Sequence, residues 1–120
     1  MIKRILSEYK TIKILEQLNS IDINHQYKHK LIFKLLKTVM LLLKYSDIKI
    51  SENNNITVIY RYKPLIFRSL NIQFKTVILK DLNVKISITI RYKNIIFEYS
   101  DNITVKDTDY NIYTYVYNRL

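Results

Sequence analysis

The chain has 120 residues and contains no glycine, no alanine, no cysteine and no tryptophan, with a single proline. Phosphate-cradling loops, dinucleotide fingerprints and nucleophile elbows use glycine, because its backbone approaches ligands closely and takes positive φ without strain. Their absence removes most enzyme classes. The lack of cysteine excludes disulfides, thiolate zinc sites and iron–sulfur clusters. Long apolar runs are also missing. The longest, Val39 to Leu43, is far short of the ~18 residues a membrane-spanning helix needs. Behind Met1-Ile2-Lys3-Arg4-Ile5 there is no apolar stretch of the secretory kind, so the protein is expected to act where it is made.

Twenty Lys and Arg against ten Asp and Glu leave a formal charge of +10, the footprint of a nucleic-acid binder. The apolar content of 48% and the many β-branched and aromatic residues predict a folded chain. The length predicts one compact domain, 1–120, with a helical half over 1–46 and a β-rich half over 47–120. The 21 Ile and 11 Tyr, together with the missing Gly and Ala, match the codon usage of a very AT-rich genome. That bias points to an organelle, a virus, a plasmid or one of a few bacteria.

Ile2, Ile5, Leu6, Tyr9 and Ile12 recur at helical spacing and predict a helix over 2–18, ended by Asn19-Ser20 and Asp22. A second helix is predicted from Tyr27 to Tyr45. Its apolar face is Ile32, Leu35, Leu36, Val39 and Leu43, and Lys30, Lys34, Lys37 and Lys44 lie opposite. Beyond it the period changes to two. Ile48-Lys49-Ile50 predicts a short strand. Glu52-Asn53-Asn54-Asn55 predicts a turn in which Asn takes the left-handed conformation. Ile56 to Lys63 predicts a strand stopped by Pro64. Further strands are expected over Asn71 to Leu79, Val84 to Tyr92, Ile95 to Tyr99 and Tyr110 to Asn118. Two N-terminal helices followed by an antiparallel, β-rich C-terminal half make an α+β fold.

The sharpest pattern is Val84 to Lys93. Val84, Ile86, Ile88, Ile90 and Tyr92 alternate with Lys85, Ser87, Thr89, Arg91 and Lys93. The polar set is either the solvated side of a sheet or a surface for phosphates and sugars, since Lys and Arg neutralise phosphates and hydroxyls bond phosphate, sugar and base edges. Along one strand such groups stand ~6.6 Å apart. The Lys stripe of the second helix has the same two readings, and no Glu or Asp interrupts it between Gln26 and Tyr45. His25 and His29 stand four apart, but no third His or acid lies near them in sequence, so they are read as exposed or capping residues rather than metal ligands. Tyr110, Tyr113, Tyr115 and Tyr117 suit either base stacking or packing on the core or a protein neighbour. Four acids fall between Glu98 and Asp109, and that stretch is expected to face away from nucleic acid. Asp107 and Asp109 form no recognisable catalytic set. The chain is therefore read as a non-enzyme without metal, cofactor or small-molecule substrate.

The segment Tyr27-Lys28-His29-Lys30-Leu31-Ile32-Phe33-Lys34-Leu35-Leu36-Lys37 resembles the Lys/Leu-rich second helix of the universal small-subunit ribosomal protein S-eight family. A strand, a polar turn and a second strand ending near Tyr60-Arg61-Tyr62-Lys63 follow it, as in that family. Leu79-Lys80-Asp81-Leu82-Asn83-Val84-Lys85-Ile86 is similar to the family's Leu-Asn-Gly-Leu-Gly-Ile-Ala-Ile stretch, and Ile112 to Tyr117 to its closing strand. The family's Ser-Thr-Ser-Lys-Gly loop has its nearest positions at Arg91, Tyr92, Lys93 and Asn94, with Lys93-Asn94 standing for Lys-Gly, and the Gly pair before the last strand is absent. The resemblance is one of pattern and order over most of the chain. It implies an organelle-encoded protein of the mitochondrial matrix that takes part in translation. Its partners would be small-subunit ribosomal RNA and neighbouring ribosomal proteins, with no membrane contact. The expected RNA contacts are Lys85, Ser87, Thr89, Arg91, Lys93 and Asn94, and secondarily Lys30, Lys34 and Lys37. Two other readings account for the same charge. One is a small viral or plasmid-encoded effector binding DNA or a host protein. The other is a subunit of a mitochondrial complex that does not touch RNA and docks through its Tyr-rich end.

Overall fold

The computed structural model describes residues 1–20, 24–79 and 83–104, with side chains as far as Asn102. Two helices precede a five-stranded antiparallel sheet, the α+β layout expected from the sequence. Helix α1 spans Ile2–Leu18 and buries Glu8, Thr11, Ile12, Ile14 and Leu15. Helix α2 spans His25–Leu42 and buries Leu31, Leu35, Leu36, Thr38, Val39 and Leu42. It starts two residues before Tyr27 because Asn24 caps it, its side-chain oxygen accepting from the Tyr27 amide at 2.8 Å. It also ends earlier than the apolar pattern predicts, in a short 3₁₀ turn over Leu43–Tyr45. The buried hydroxyls of Thr11 and Thr38 donate to the carbonyls of Ser7 and Lys34, both at 2.7 Å, so neither is a buried orphan.

The strands are β1 (Ser46–Glu52), β2 (Ile56–Tyr62), β3 (Leu70–Ile78), β4 (Asn83–Tyr92) and β5 (Ile95–Thr104), and they pair in chain order as a meander. β1 is longer than Ile48-Lys49-Ile50 because its polar residues pair along all of β2. β5 runs past Tyr99 because Ser100, Asp101 and Asn102 pair with Ser87, Ile86 and Lys85 of β4. The expected strand over Tyr110 to Asn118 lies outside the described residues.

The Asn turn differs from expectation. Among the described residues the one positive φ belongs to Lys93, at 54°. The connection through Asn53 to Asn55 therefore uses no left-handed Asn. Lys93 and Asn94 link β4 to β5, and positive φ at the first of two central residues but not the second is the type II′ pattern, which favours glycine there. In a chain without glycine, lysine takes the place.

Both helices pack on one face of the sheet. The core unites Ile12, Leu15, Leu35, Leu36, Val39 and Leu42 with Ile72, Phe74, Ile86, Ile88 and Ile90. Coverage is uneven across the strands. Tyr62, Leu70 and Ile90 are buried, whereas Ile48 and Ile50 on β1 are 60% and 61% exposed. The helix side of β3 and β4 is thus buried along most of its length, from Leu70 to Thr76 and from Val84 to Ile90, while the apolar side of the β1 edge is left in water.

Candidate nucleic-acid interface

Among the described residues no helix covers the other face of the sheet. Period-two alternation and the observed register assemble it row by row. Lys49, Ile59, Lys75, Ser87 and Ser100 form one row across the five strands; Asp47, Arg61, Gln73, Thr89 and Glu98 form the next. Ser51, Thr57, Val77, Lys85 and Asn102 lie to one side, and Asn71, Arg91 and Ile96 to the other. Among the described residues five strand cations, Lys49, Arg61, Lys75, Lys85 and Arg91, share this face with two carboxylates, Asp47 and Glu98. One of the two is already occupied: Lys63 Nζ stands 3.1 Å from Asp47 Oδ2. That pair is well exposed and adds little stability, but it reduces the negative potential at this corner. Arg61 donates to Gln73 Oε1 at 3.3 Å, a bond within one row of the face.

Lys85, Ser87, Thr89 and Arg91 all lie on this open face, as the alternation of β4 requires. Lys93 and Asn94 sit in the turn at its end, both exposed, with the Lys93 amine 5.2 Å from the centre of the Tyr92 ring. Lys30, Lys34 and Lys37 are exposed on α2, whose buried residues face the sheet. They therefore lie on the far side of the molecule from the strand cations, and the two groups do not form one surface. Lys49, Arg61 and Lys75 belong to the face and were not among the expected contacts. Their alternation was visible in sequence, but only the strand order brings them beside β4.

One expectation changes. Glu98 pairs with Thr89 and shares the open face, so the acidic stretch does not all face away; the cause is the parity of β5, which sends Asp101 to the helix side. Asp107, Asp109 and the four C-terminal tyrosines lie outside the described residues. On the open face itself there is no aromatic ring among the described residues, since Tyr60, Tyr62, Phe74, Tyr92, Phe97 and Tyr99 all fall in the other register. Stacking on unpaired bases is therefore not what these residues offer. The groups present are cations, hydroxyls and amides, which suit phosphates and sugars. His25 and His29 are exposed in the first turns of α2, with the His29 ring edge-on to Phe33 at 4.8 Å. Among the described residues no three His, Asp or Glu side chains are grouped to hold a metal.

One strongly perturbed carboxylate lies elsewhere. Glu8 is fully buried and accepts from the backbone amides of Leu65 at 2.6 Å, Ile66 at 3.0 Å and Phe67 at 3.0 Å, and from the Tyr62 hydroxyl. Burial by itself raises a carboxyl's pKa; the amides of Leu65 and Phe67, the Tyr62 hydroxyl and the Ile66 amide outweigh it and hold Glu8 below the ordinary value. Tyr62 is pushed up to about 12, first by burial and then by Glu8, against the pull of Arg4. Arg4 Nε donates to the Tyr62 oxygen at 3.1 Å, its Nη2 donates to the Lys63 carbonyl at 2.5 Å, and its guanidinium lies 4.3 Å from the Tyr45 ring centre. With four donors on a fully buried Glu8, this unit is a brace between α1 and the β2–β3 loop. Sequence reasoning missed it because nothing local marks Glu8 as buried.

Comparison with models of known protein families, with curated proteins and with solved structures finds no match to this chain.

Proposed function

We infer that this protein binds folded RNA through the open face of its sheet and serves as a structural protein of the small ribosomal subunit in mitochondria. The observation that supports the reading is the face that no described helix covers, where, among the described residues, five strand cations meet two carboxylates, one of them already ion-paired. Lys and Arg at these positions neutralise phosphates and release counterions. Ser87, Thr89, Ser100 and Asn102 suit the 2′-hydroxyls of a shallow minor groove. A face whose described residues carry no aromatic ring favours helical RNA over unpaired strands. The order of helix, Lys-rich helix and hairpin over residues 2–62 supports the ribosomal form of the reading. The exposed Ile48 and Ile50 of β1 suit contact with a neighbouring ribosomal protein.

Gradient sedimentation of lysate, with and without ribonuclease, tests this reading. The expected outcome is migration with the small ribosomal subunit, lost on ribonuclease treatment. Migration as a free small protein, or in a ribonuclease-resistant complex, would overturn it in favour of an effector or a protein-complex subunit.

A further inference from the structure

Within the open face the sheet carries a depression of about 420 Å³ between β3, β4 and β5. Lys75, Lys85, Ser87, Ser100, Asp101 and Asn102 line it. The register fixes their arrangement. Ser87 lies directly opposite Lys75 on one side and Ser100 on the other, while Lys85 lies opposite Asn102 and diagonal to Lys75. Diagonal neighbours on adjacent strands have Cβ atoms ~7 Å apart, so two lysine ammoniums at such positions reach one phosphate placed above Ser87. The β5 side has a different chemistry. The Asp101 carboxylate accepts from the Tyr99 hydroxyl at 3.3 Å and belongs to the helix side, so the polar side chains that β5 gives the depression are Ser100 and Asn102. The Ser100 hydroxyl and the Asn102 side-chain amide both donate and accept, which suits a sugar hydroxyl. Donors for an anion at one end and mixed donors and acceptors at the other match a phosphate joined to a ribose.

We propose that this depression is a single-nucleotide subsite. Lys75 and Lys85 share one backbone phosphate of the RNA, and Ser87, Ser100 and Asn102 contact the attached ribose through its 2′-hydroxyl. The proposal rests on the open face being the RNA interface, and it adds a division of labour: the lysines set salt-dependent affinity, and the β4–β5 polar groups set preference for RNA over DNA.

Fluorescence anisotropy of the full chain with an RNA duplex and a DNA duplex of the same sequence, over a salt series, tests it. Circular dichroism confirms that each variant is folded. The double variant Lys75→Gln/Lys85→Gln is expected to lower the salt slope by about one, because one phosphate is lost rather than two, while RNA preference persists. The triple variant Ser87→Ala/Ser100→Ala/Asn102→Ala is expected to keep the slope and reduce the RNA-over-DNA affinity ratio about tenfold, ~1.4 kcal/mol. A slope reduced by about two, or not at all, overturns the shared phosphate. An unchanged ratio in the triple variant, or no RNA preference in the wild-type chain, overturns the ribose contact. If these variants behave as wild type while Arg91→Glu/Lys93→Glu weakens binding, the open face binds RNA and the subsite is wrong. Failure of the wild-type chain to bind either duplex overturns both readings.

Discussion

Glu8 is the residue on which the β2–β3 connection depends. Its carboxylate takes three backbone amides that no other group in the loop satisfies, along with the Tyr62 hydroxyl. Glu8→Ala leaves those donors without a partner in a buried site, and is expected to cost more than about 3 kcal/mol in chemical denaturation. The pH dependence follows from the depressed pKa. A carboxyl held below the 4.5 of an unfolded glutamate stabilises the fold fully above that value and loses its contribution as pH falls through the folded pKa. The stability gap between the wild-type protein and Glu8→Gln should therefore narrow as the pH is lowered from neutral into this acid range. A gap that stays constant would show that Glu8 acts by shape alone.

Identical side chains on different strands of the sheet have different weights. Ile72 on β3 is fully buried against the helices, and Ile50 on β1 is 61% exposed on the same side of the sheet. Thermal or urea denaturation should show Ile72→Ala destabilised by about 2–5 kcal/mol and Ile50→Thr changed by no more than about 0.5 kcal/mol. The β4–β5 hairpin gives a second contrast. Lys93 takes a φ of 54°, which costs an L-residue with a Cβ about 1 kcal/mol or more. Lys93→Gly is expected to raise stability by up to about 1 kcal/mol while weakening RNA binding through the lost cation. A destabilised Lys93→Gly variant would remove the strain argument.

For the molecule as a whole, the two basic surfaces are separated by the helix layer and the sheet, so charge reversal distinguishes them. Arg91→Glu/Lys93→Glu should lower RNA affinity and reduce the salt slope by about two. Lys30→Glu/Lys34→Glu/Lys37→Glu should leave the slope for a short RNA duplex unchanged, since one short duplex does not reach both sides. An equal effect of the two variants in a filter-binding salt series would mean that net charge, not the open face, drives association. The α2 lysines would then serve the same role as the strand cations.

The elements themselves were legible in the sequence. The 3.6-residue spacing of Leu35, Leu36 and Val39 and the period-two alternation of Val84 to Tyr92 are local, so the helices, the strands and the buried faces of α2 and β4 could be read without a partner; on α1 only Ile12 of the expected apolar set is buried, while Ile2, Leu6 and Tyr9 are exposed. The basic face of β4 was legible for the same reason. Long-range placement was not. Glu8, Arg4 and Tyr62 meet across more than 50 residues of chain, and no local signal announces a carboxylate that caps a distant loop. The left-handed turn residue fell on Lys93 rather than on an asparagine because the short β4–β5 connection demands positive φ wherever the chain supplies a residue. Composition and period thus determined an α+β chain with a basic strand face. The tertiary pairing alone decided that Lys49, Arg61 and Lys75 join that face, that Glu98 joins them, and that the α2 lysines lie opposite, because strand order and register are set by contacts between segments far apart in sequence.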